Sequence, residues 1–335
     1  MMRYRTVAGI EVSVLALGGA GFGGIGSARR LIGRGETEAE AHALLDRAVA
    51  LGINLVDTAG TYGDGASEQI IGAWLRARGA AVRDKVRISS KIGLRGGLGR
   101  DHVLAEVDRS LARLGVDALD FYLAHVPDPA QPWDEVLRTF ELLALRGKVR
   151  RIGVSNVSAA DLEALAQLAP ASSAGTGASG FCFVQNPLNL LRQDDTENGV
   201  IAACRRLGLP YTAYSPLAGG LLGGAYTLEG AIPAGTRVAF RPDLYAAAWT
   251  PANAARVARL TAEAAEAAVS PAGLATWWLL QHPAVTAIVL GARRPDQLES
   301  MVGEVLRLPP DPARWRALAA DHTRTASATA HAEDA

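Results

Sequence analysis

Cysteine is nearly absent. The 335 residues hold two, Cys182 and Cys204, in no metal-binding spacing, so a metal site is not expected and unpaired thiols suit a reducing compartment. An excess of either charge is also missing. The 34 Lys and Arg balance 34 Asp and Glu, which argues against a nucleic-acid or membrane-surface role but allows one phosphorylated small molecule to bind locally. No stretch of about 18 uninterrupted apolar residues marks a membrane span. Met1-Met2-Arg3-Tyr4-Arg5 leads into no apolar segment of the secretory kind. The expectation is a cytoplasmic globular protein with a small-molecule partner and neither nucleic acid nor membrane.

What is present is alternation. Hydrophobic residues make up 49% of the chain, enough for a large core. Short apolar runs, several of them β-branched, read as strands at Val12–Leu17, Asn54–Asp57, Val86–Lys91, Leu119–Ala124, Ile152–Val154, Phe181–Gln185, Tyr211–Tyr214 and Ala287–Leu290. Between them lie stretches of helical period, such as Thr37–Leu51, Ser67–Arg78, Asp101–Leu114 and Thr196–Leu207. Strands alternating with helices pair in parallel through crossovers, and eight such units predict an α/β fold, a closed (β/α)8 TIM barrel with long loops at its C-terminal face. Residues 1–322 are expected to form one barrel domain and residues 323–335 a disordered tail. Helix signals agree: Ser158, Thr250 and Ser270 stand at N-cap positions, and Gly52, Gly115 and Gly208 lie just past helix ends. Three segments break the rhythm: the Gly- and Arg-rich stretch 18–35, the low-complexity connector 170–180, and the long loop 219–249.

The first of these offers a rival. Gly19-Ala-Gly21-Phe-Gly23-Gly24 satisfies G-x-G-x-x-G after a strand, and the next strand ends in Asp57, as in a dinucleotide-binding fold. Those glycines should open a helix directly. Here Ser27–Gly35, with three arginines and two more glycines, intervenes before helical period begins near Thr37. The remaining β/α units also continue without a separate substrate domain.

In a β/α barrel, chemistry gathers where strands end. Asp57 ends the second strand, with Tyr62 in the loop beyond; Lys91 ends the third and His125 the fourth. Taken singly, each has a plain reading: a turn cap, a loop aromatic, a lysine reaching out of a strand, a satisfied core histidine. Their convergence at one mouth changes the odds. Reducing a carbonyl requires a proton at oxygen as hydride reaches carbon. A lysine ammonium favours a neighbouring phenolate and lowers the tyrosine pKa, a carboxylate orients the lysine, and a neutral imidazole polarises the carbonyl. Removing Lys91 is therefore expected to harm catalysis far more than stability. The hydride itself must come from a cofactor.

These residues sit in longer motifs: Asn54-Leu-Val-Asp57-Thr-Ala-Gly-Thr-Tyr62-Gly, Ser90-Lys91, His125-Val-Pro-Asp-Pro, Gly147-Lys-Val-Arg-Arg-Ile-Gly-Val-Ser155-Asn156, Tyr214-Ser-Pro-Leu-Ala-Gly-Gly-Leu-Leu and Val289-Leu-Gly-Ala-Arg293-Arg-Pro-Asp-Gln297-Leu-Glu. From about Arg3 to about Leu306 the chain resembles an aldo-keto reductase. The resemblance implies an NADPH-dependent oxidoreductase that reduces an aldehyde or ketone, such as a sugar or keto-sugar, to an alcohol, with Tyr62 as proton donor and Asp57, Lys91 and His125 completing the catalytic set. Ser155, Asn156 and Gln185 would hold the nicotinamide carboxamide, Tyr214 would stack on the ring, and Ser215, Leu217 and Gly219 would line the pyrophosphate. Arg293, Arg294 and Gln297 would meet the adenosine 2′-phosphate, with Gly291 permitting close approach of the backbone and the following helix N-terminus favouring an anion. The alternative is a cofactor-sensing regulatory or interaction protein on the same fold. The chain departs from the family pattern at Ala225, where Gly-Lys-Tyr is frequent, and at Met301, where an adenine-side Asn is frequent.

Overall fold

Period-two alternation places every second side chain of a strand on the same face, and in this chain that rule builds two structures. β1 (Tyr4–Val7) and β2 (Ile10–Ser13) form an antiparallel hairpin. The barrel strands follow: β3 (Leu15–Gly18), β4 (Leu55–Asp57), β5 (Arg87–Ile92), β6 (Leu119–Ala124), β7 (Val149–Ser155), β8 (Val184–Pro187), β9 (Tyr211–Tyr214) and β10 (Val285–Leu290). In the computed structural model, which describes residues 1–168, 180–226, 230 and 232–319, they close in the order β10-β3-β4-β5-β6-β7-β8-β9. Every neighbouring pair is parallel, with helices packed around the outside: the (β/α)8 barrel. The dinucleotide-fold rival is thereby set aside. The connector at 170–180 falls almost wholly, and the tail at 323–335 wholly, outside the described residues.

The hairpin is the main departure from the sequence reading. The strand expected at Val12–Leu17 is two strands, because the chain turns at Val14 from the hairpin into the barrel wall. Val7 and Val12 join Ala16, Leu55, Phe121, Leu123, Phe183 and Val289 in one apolar cluster within the barrel. Tyr4 donates to Gly52 O, which precedes β4, and Arg5 donates to Val285 O at the start of β10. Both anchors lie where strands begin, so the hairpin covers the N-terminal end and leaves the C-terminal end to the loops.

Other boundaries moved for local reasons. The helix expected over Thr196–Leu207 is interrupted at Asn198-Gly199, where Gly199 has φ 93°, leaving Asp194–Glu197 and Val200–Leu207. The loop at 219–249 contains short helical turns, Arg237–Phe240 and Pro242–Tyr245 among them. A helix at Pro312–Ala319 had not been anticipated. The caps hold as expected: the Ser158, Thr250 and Ser270 hydroxyls each accept a backbone N–H three residues on, and Gly52, Gly115 and Gly208 all have positive φ.

Candidate active site

Along β4, β5 and β6 the inward positions become more polar, or charged, toward the C-terminal end. Leu55 is followed two residues on by Asp57, Ser89 by Lys91, and Leu123 by His125, while Val56, Ile88 and Tyr122 face the helices. Parallel register then aligns the ends of the strands, pairing Asp57 with Ser89 and Lys91 with Leu123. The result is a polar layer stacked on the apolar one at the C-terminal end.

Within that layer Lys91 Nζ donates to Asp57 Oδ2 at 2.5 Å and to Thr58 O at 3.0 Å. The pair is deeply buried, with side-chain exposures of 1% and 5%. The second carboxylate oxygen of Asp57 accepts from Ser89 Oγ at 2.9 Å and Gln185 Nε2 at 3.0 Å. Burial opposes the Lys91 charge, but Asp57 and Tyr62 outweigh it and hold its pKa above the ordinary value.

Tyr62 opens a single turn, Tyr62–Gly65, in which Gly63 and Asp64 have positive φ, before the helix Ala66–Arg78 begins. The turn is pressed against the glycine-rich loop: Gly63 N donates to Gly26 O, and a Cβ on Gly24 would lie 2.9 Å from Gly63 Cα. This close approach requires glycine. Tyr62 consequently reaches the polar layer, its ring centroid 5.2 Å from Lys91 Nζ and 5.8 Å from the His125 ring, edge to face. Burial raises the Tyr62 pKa, and Lys91 pulls it back only in part. Lys91 lowers the Tyr62 pKa, as expected, but loss of hydration outweighs one ammonium, so the net direction is upward. Burial, with Lys91 adding to it, pushes His125 down to about 3, so the imidazole is neutral at working pH. Its buried Nδ1 has no hydrogen-bond partner among the described residues. A phenol, an ammonium and a neutral imidazole around one spot can polarise and protonate a carbonyl oxygen.

The other expected residues form a line leading away from this cluster. Ser155 Oγ donates to Gln185 O at 2.6 Å, Asn156 Nδ2 donates to His125 O at 2.8 Å, and Tyr214 OH donates to Asn156 Oδ1 at 2.6 Å. Asn156 and Ser215 both have φ 57°, a conformation rare outside glycine. Leu217 precedes the helical turn Ala218–Gly223, and Gly219 packs so closely on Tyr245 that a Cβ there would lie 2.7 Å from the ring. Beyond β10, Gly291 leads to Arg293 and Arg294. Arg293 Nε is 3.1 Å from Glu36 Oε1, its Nη1 donates to Gly235 O at 2.8 Å, and its backbone N–H donates to Gln297 Oε1 at 3.3 Å. Arg294 pairs with Asp296 at 3.0 Å, at the N-terminus of the helix Pro295–Arg307.

Two residues in this region were not singled out from the sequence. Arg237 is half-buried, and its charge acts on both Tyr62 and Glu36, yet among the described residues its side chain forms no hydrogen bond or ion pair. No local pattern marks it, since a lone arginine in a long loop looks solvated. Glu36 was hidden because it directly precedes the capping box of Thr37 and Glu40 and looks like helix-start chemistry.

Among the described residues, no three His, Cys, Asp or Glu side chains gather as a metal set, and no helix is long and apolar enough to cross a membrane.

The sequence model of the aldo/keto reductase family matches residues 14–318. The uncharacterized oxidoreductase YrpG of Bacillus subtilis is 32% identical over 90% of either chain. The aldo-keto reductase YhdN of the same organism is 30% identical, over 90% of this chain and 88% of its own. An L-glyceraldehyde 3-phosphate reductase of Escherichia coli is 31% identical, over 78% of this chain and 77% of its own.

Proposed function

This chain belongs to the aldo/keto reductase family and is an oxidoreductase, and we propose that it reduces a small aldehyde or ketone to an alcohol with NADPH, using Tyr62 as proton donor. The observation that carries the reading is the buried Asp57–Lys91 pair beside Tyr62 and a neutral His125. Because burial keeps the Tyr62 phenol protonated, it is poised to give a proton. Lys91 eases that release by favouring the phenolate, and Asp57 holds Lys91 charged and in place. His125, neutral, orients the carbonyl oxygen by hydrogen bonding.

The residues of the line suit a 2′-phosphorylated dinucleotide. Arg237, Arg293 and Arg294 provide cationic donors at one end, Arg237 without an ion pair among the described residues, and a Cβ on Gly291 would meet no described atom within 4 Å. Ser155, Asn156 and Gln185 would hold the carboxamide, Tyr214 would stack on the ring, and Ser215, Leu217 and Gly219 would line the pyrophosphate. When bound, the nicotinamide supplies the hydride to the carbonyl carbon.

The test is a spectrophotometric screen of NADPH oxidation against aldehydes, ketones and aldoses, including glyceraldehyde 3-phosphate, the compound named in one relative. Turnover with at least one carbonyl is expected. A purified protein that binds NADPH and reduces none of them overturns the reading.

Cofactor choice gives a separate prediction. A charge-assisted contact is worth roughly 1.5–3 kcal/mol, and solvent screening at an exposed arginine reduces this, so NADPH is expected to bind about tenfold tighter than NADH. Arg293, with its side chain 56% exposed, is the main donor. Arg293→Ala should bring the two affinities to within about threefold of each other and leave NADH binding nearly unchanged. Titrations followed by tryptophan fluorescence decide it, and equal wild-type affinity for both cofactors refutes the assignment.

A further inference from the structure

The glycine-rich loop after β3 matches no substrate-binding pattern, but the structure shows what it encloses. Glu36 is buried, its side chain 7% exposed, among the glycines themselves. A Cβ built on Gly21 would stand 1.9 Å from Glu36 Oε2, so the absence of a side chain there makes room for the carboxylate. The backbone holds it from both sides: Glu36 N donates to Gly21 O at 2.7 Å, and Gly23 N donates to Glu36 O at 2.8 Å. From this seat Glu36 Oε1 meets Arg293 Nε at 3.1 Å, across 257 residues of sequence. The contact is possible because β3 and β10 are neighbours in the barrel, so the loops leaving them meet at the mouth.

We propose that Glu36 is the specificity-determining residue for the dinucleotide: a seated carboxylate that competes with the adenosine 2′-phosphate for Arg293 and so limits the preference for the phosphorylated cofactor. The inference rests on the reading that residues 291–297 hold that phosphate. Two anions on one guanidinium repel each other, so binding the phosphate carries a cost that is relieved only if Arg293 leaves Glu36 or Glu36 takes up a proton. Burial already raises the Glu36 pKa, with Arg293 opposing, so the carboxylate is an imperfectly stabilised partner that gives way at a cost rather than forbidding the phosphate. A dinucleotide without the 2′-phosphate meets no such competition.

The experiment measures Kd for NADP+ and NAD+ by calorimetric titration of wild type, Glu36→Gln, Arg293→Ala and the double variant. Glutamine keeps the shape and removes the charge. Glu36→Gln is expected to tighten NADP+ by about three- to tenfold, the range for an exposed arginine freed of a partner, and to leave NAD+ within about twofold. In the Arg293→Ala background the same change should do nothing to NADP+, because its effect passes through that guanidinium. If Arg293→Ala weakens NADP+ but Glu36→Gln leaves the ratio of affinities unchanged, the proposal is overturned while the phosphate site stands. If Arg293→Ala changes neither affinity, the assignment of residues 291–297 fails and the proposal with it. Should Glu36→Gln not fold, Glu36→Ser removes the charge with less bulk and faces the same outcomes.

Discussion

Tyr62→Phe is expected to lose nearly all turnover while folding normally and binding the cofactor as the wild type does. A positioned proton donor contributes about 10²- to 10⁴-fold, so kcat with an accepted carbonyl should fall by about 10³. The ring itself stays: its edge-to-face contact with His125 at 5.8 Å and its place beside Lys91 are available to phenylalanine. Cofactor Kd within about twofold of wild type would separate loss of chemistry from loss of binding. Retained wild-type turnover would remove Tyr62 from the mechanism. The same geometry determines the pH profile. His125, pushed down to about 3, loses a proton far below the working range, and the Tyr62 phenol, raised above its ordinary value by burial, stays protonated through it. The kcat for reduction should therefore be level from about pH 5 to about pH 9, falling only as alkali begins to ionise the phenol. A limb with a midpoint near 6.5 would place a charged His125 in the cycle.

Lys91→Met is expected to cost both activity and stability. The sequence pointed to a change in a site, with little harm to the fold. The structure adds a stability cost to that expectation, because the ammonium is 1% exposed and 2.5 Å from a carboxylate nearly as buried. Removing one partner of a buried pair leaves the other charge uncompensated, which costs about 3–5 kcal/mol. Ser89 and Gln185 still donate to Asp57, which favours the lower end of that range. Urea unfolding should show the loss in Lys91→Met and partial recovery in Lys91→Met/Asp57→Asn, where the stranded charge is gone. Turnover should stay down by about 10²-fold or more in both, since neither has the ammonium that eases proton release from Tyr62. Recovery of activity together with stability in the double variant would show that Lys91 only supports the fold.

The barrel was legible because its signals are local. Short, mostly apolar runs alternating with helical period require no knowledge of distant contacts, and eight such units with parallel crossovers have one common closed solution. Asp57, Lys91 and His125 could be grouped for the same reason. Each lies within one residue of the end of a strand, the side-chain period of a strand is two, and register in a parallel barrel brings equivalent ends together. Where the reading slipped, two elements shared one apolar run or one broke on a turn. The stretch Val12–Leu17 looked continuous because the apolar end of the hairpin strand runs straight into the apolar barrel strand, and the bend at Val14 leaves no mark in composition. Gly199 inside a helical pattern gave too weak a signal to overrule the period around it.

The sequence by itself therefore determined the family, the barrel, and which side chains end its strands, since these follow from periodicity and from motifs a few residues long. Only the tertiary structure decided what those side chains meet. Val7 and Val12 fill the N-terminal end of the barrel, burial outweighs the pull of Lys91 on the Tyr62 pKa, and Glu36 lies against Arg293. Each depends on loops or strands far apart in the chain, and on hydration lost when they close over a group. A local pattern encodes neither the distance between such segments nor the water displaced between them.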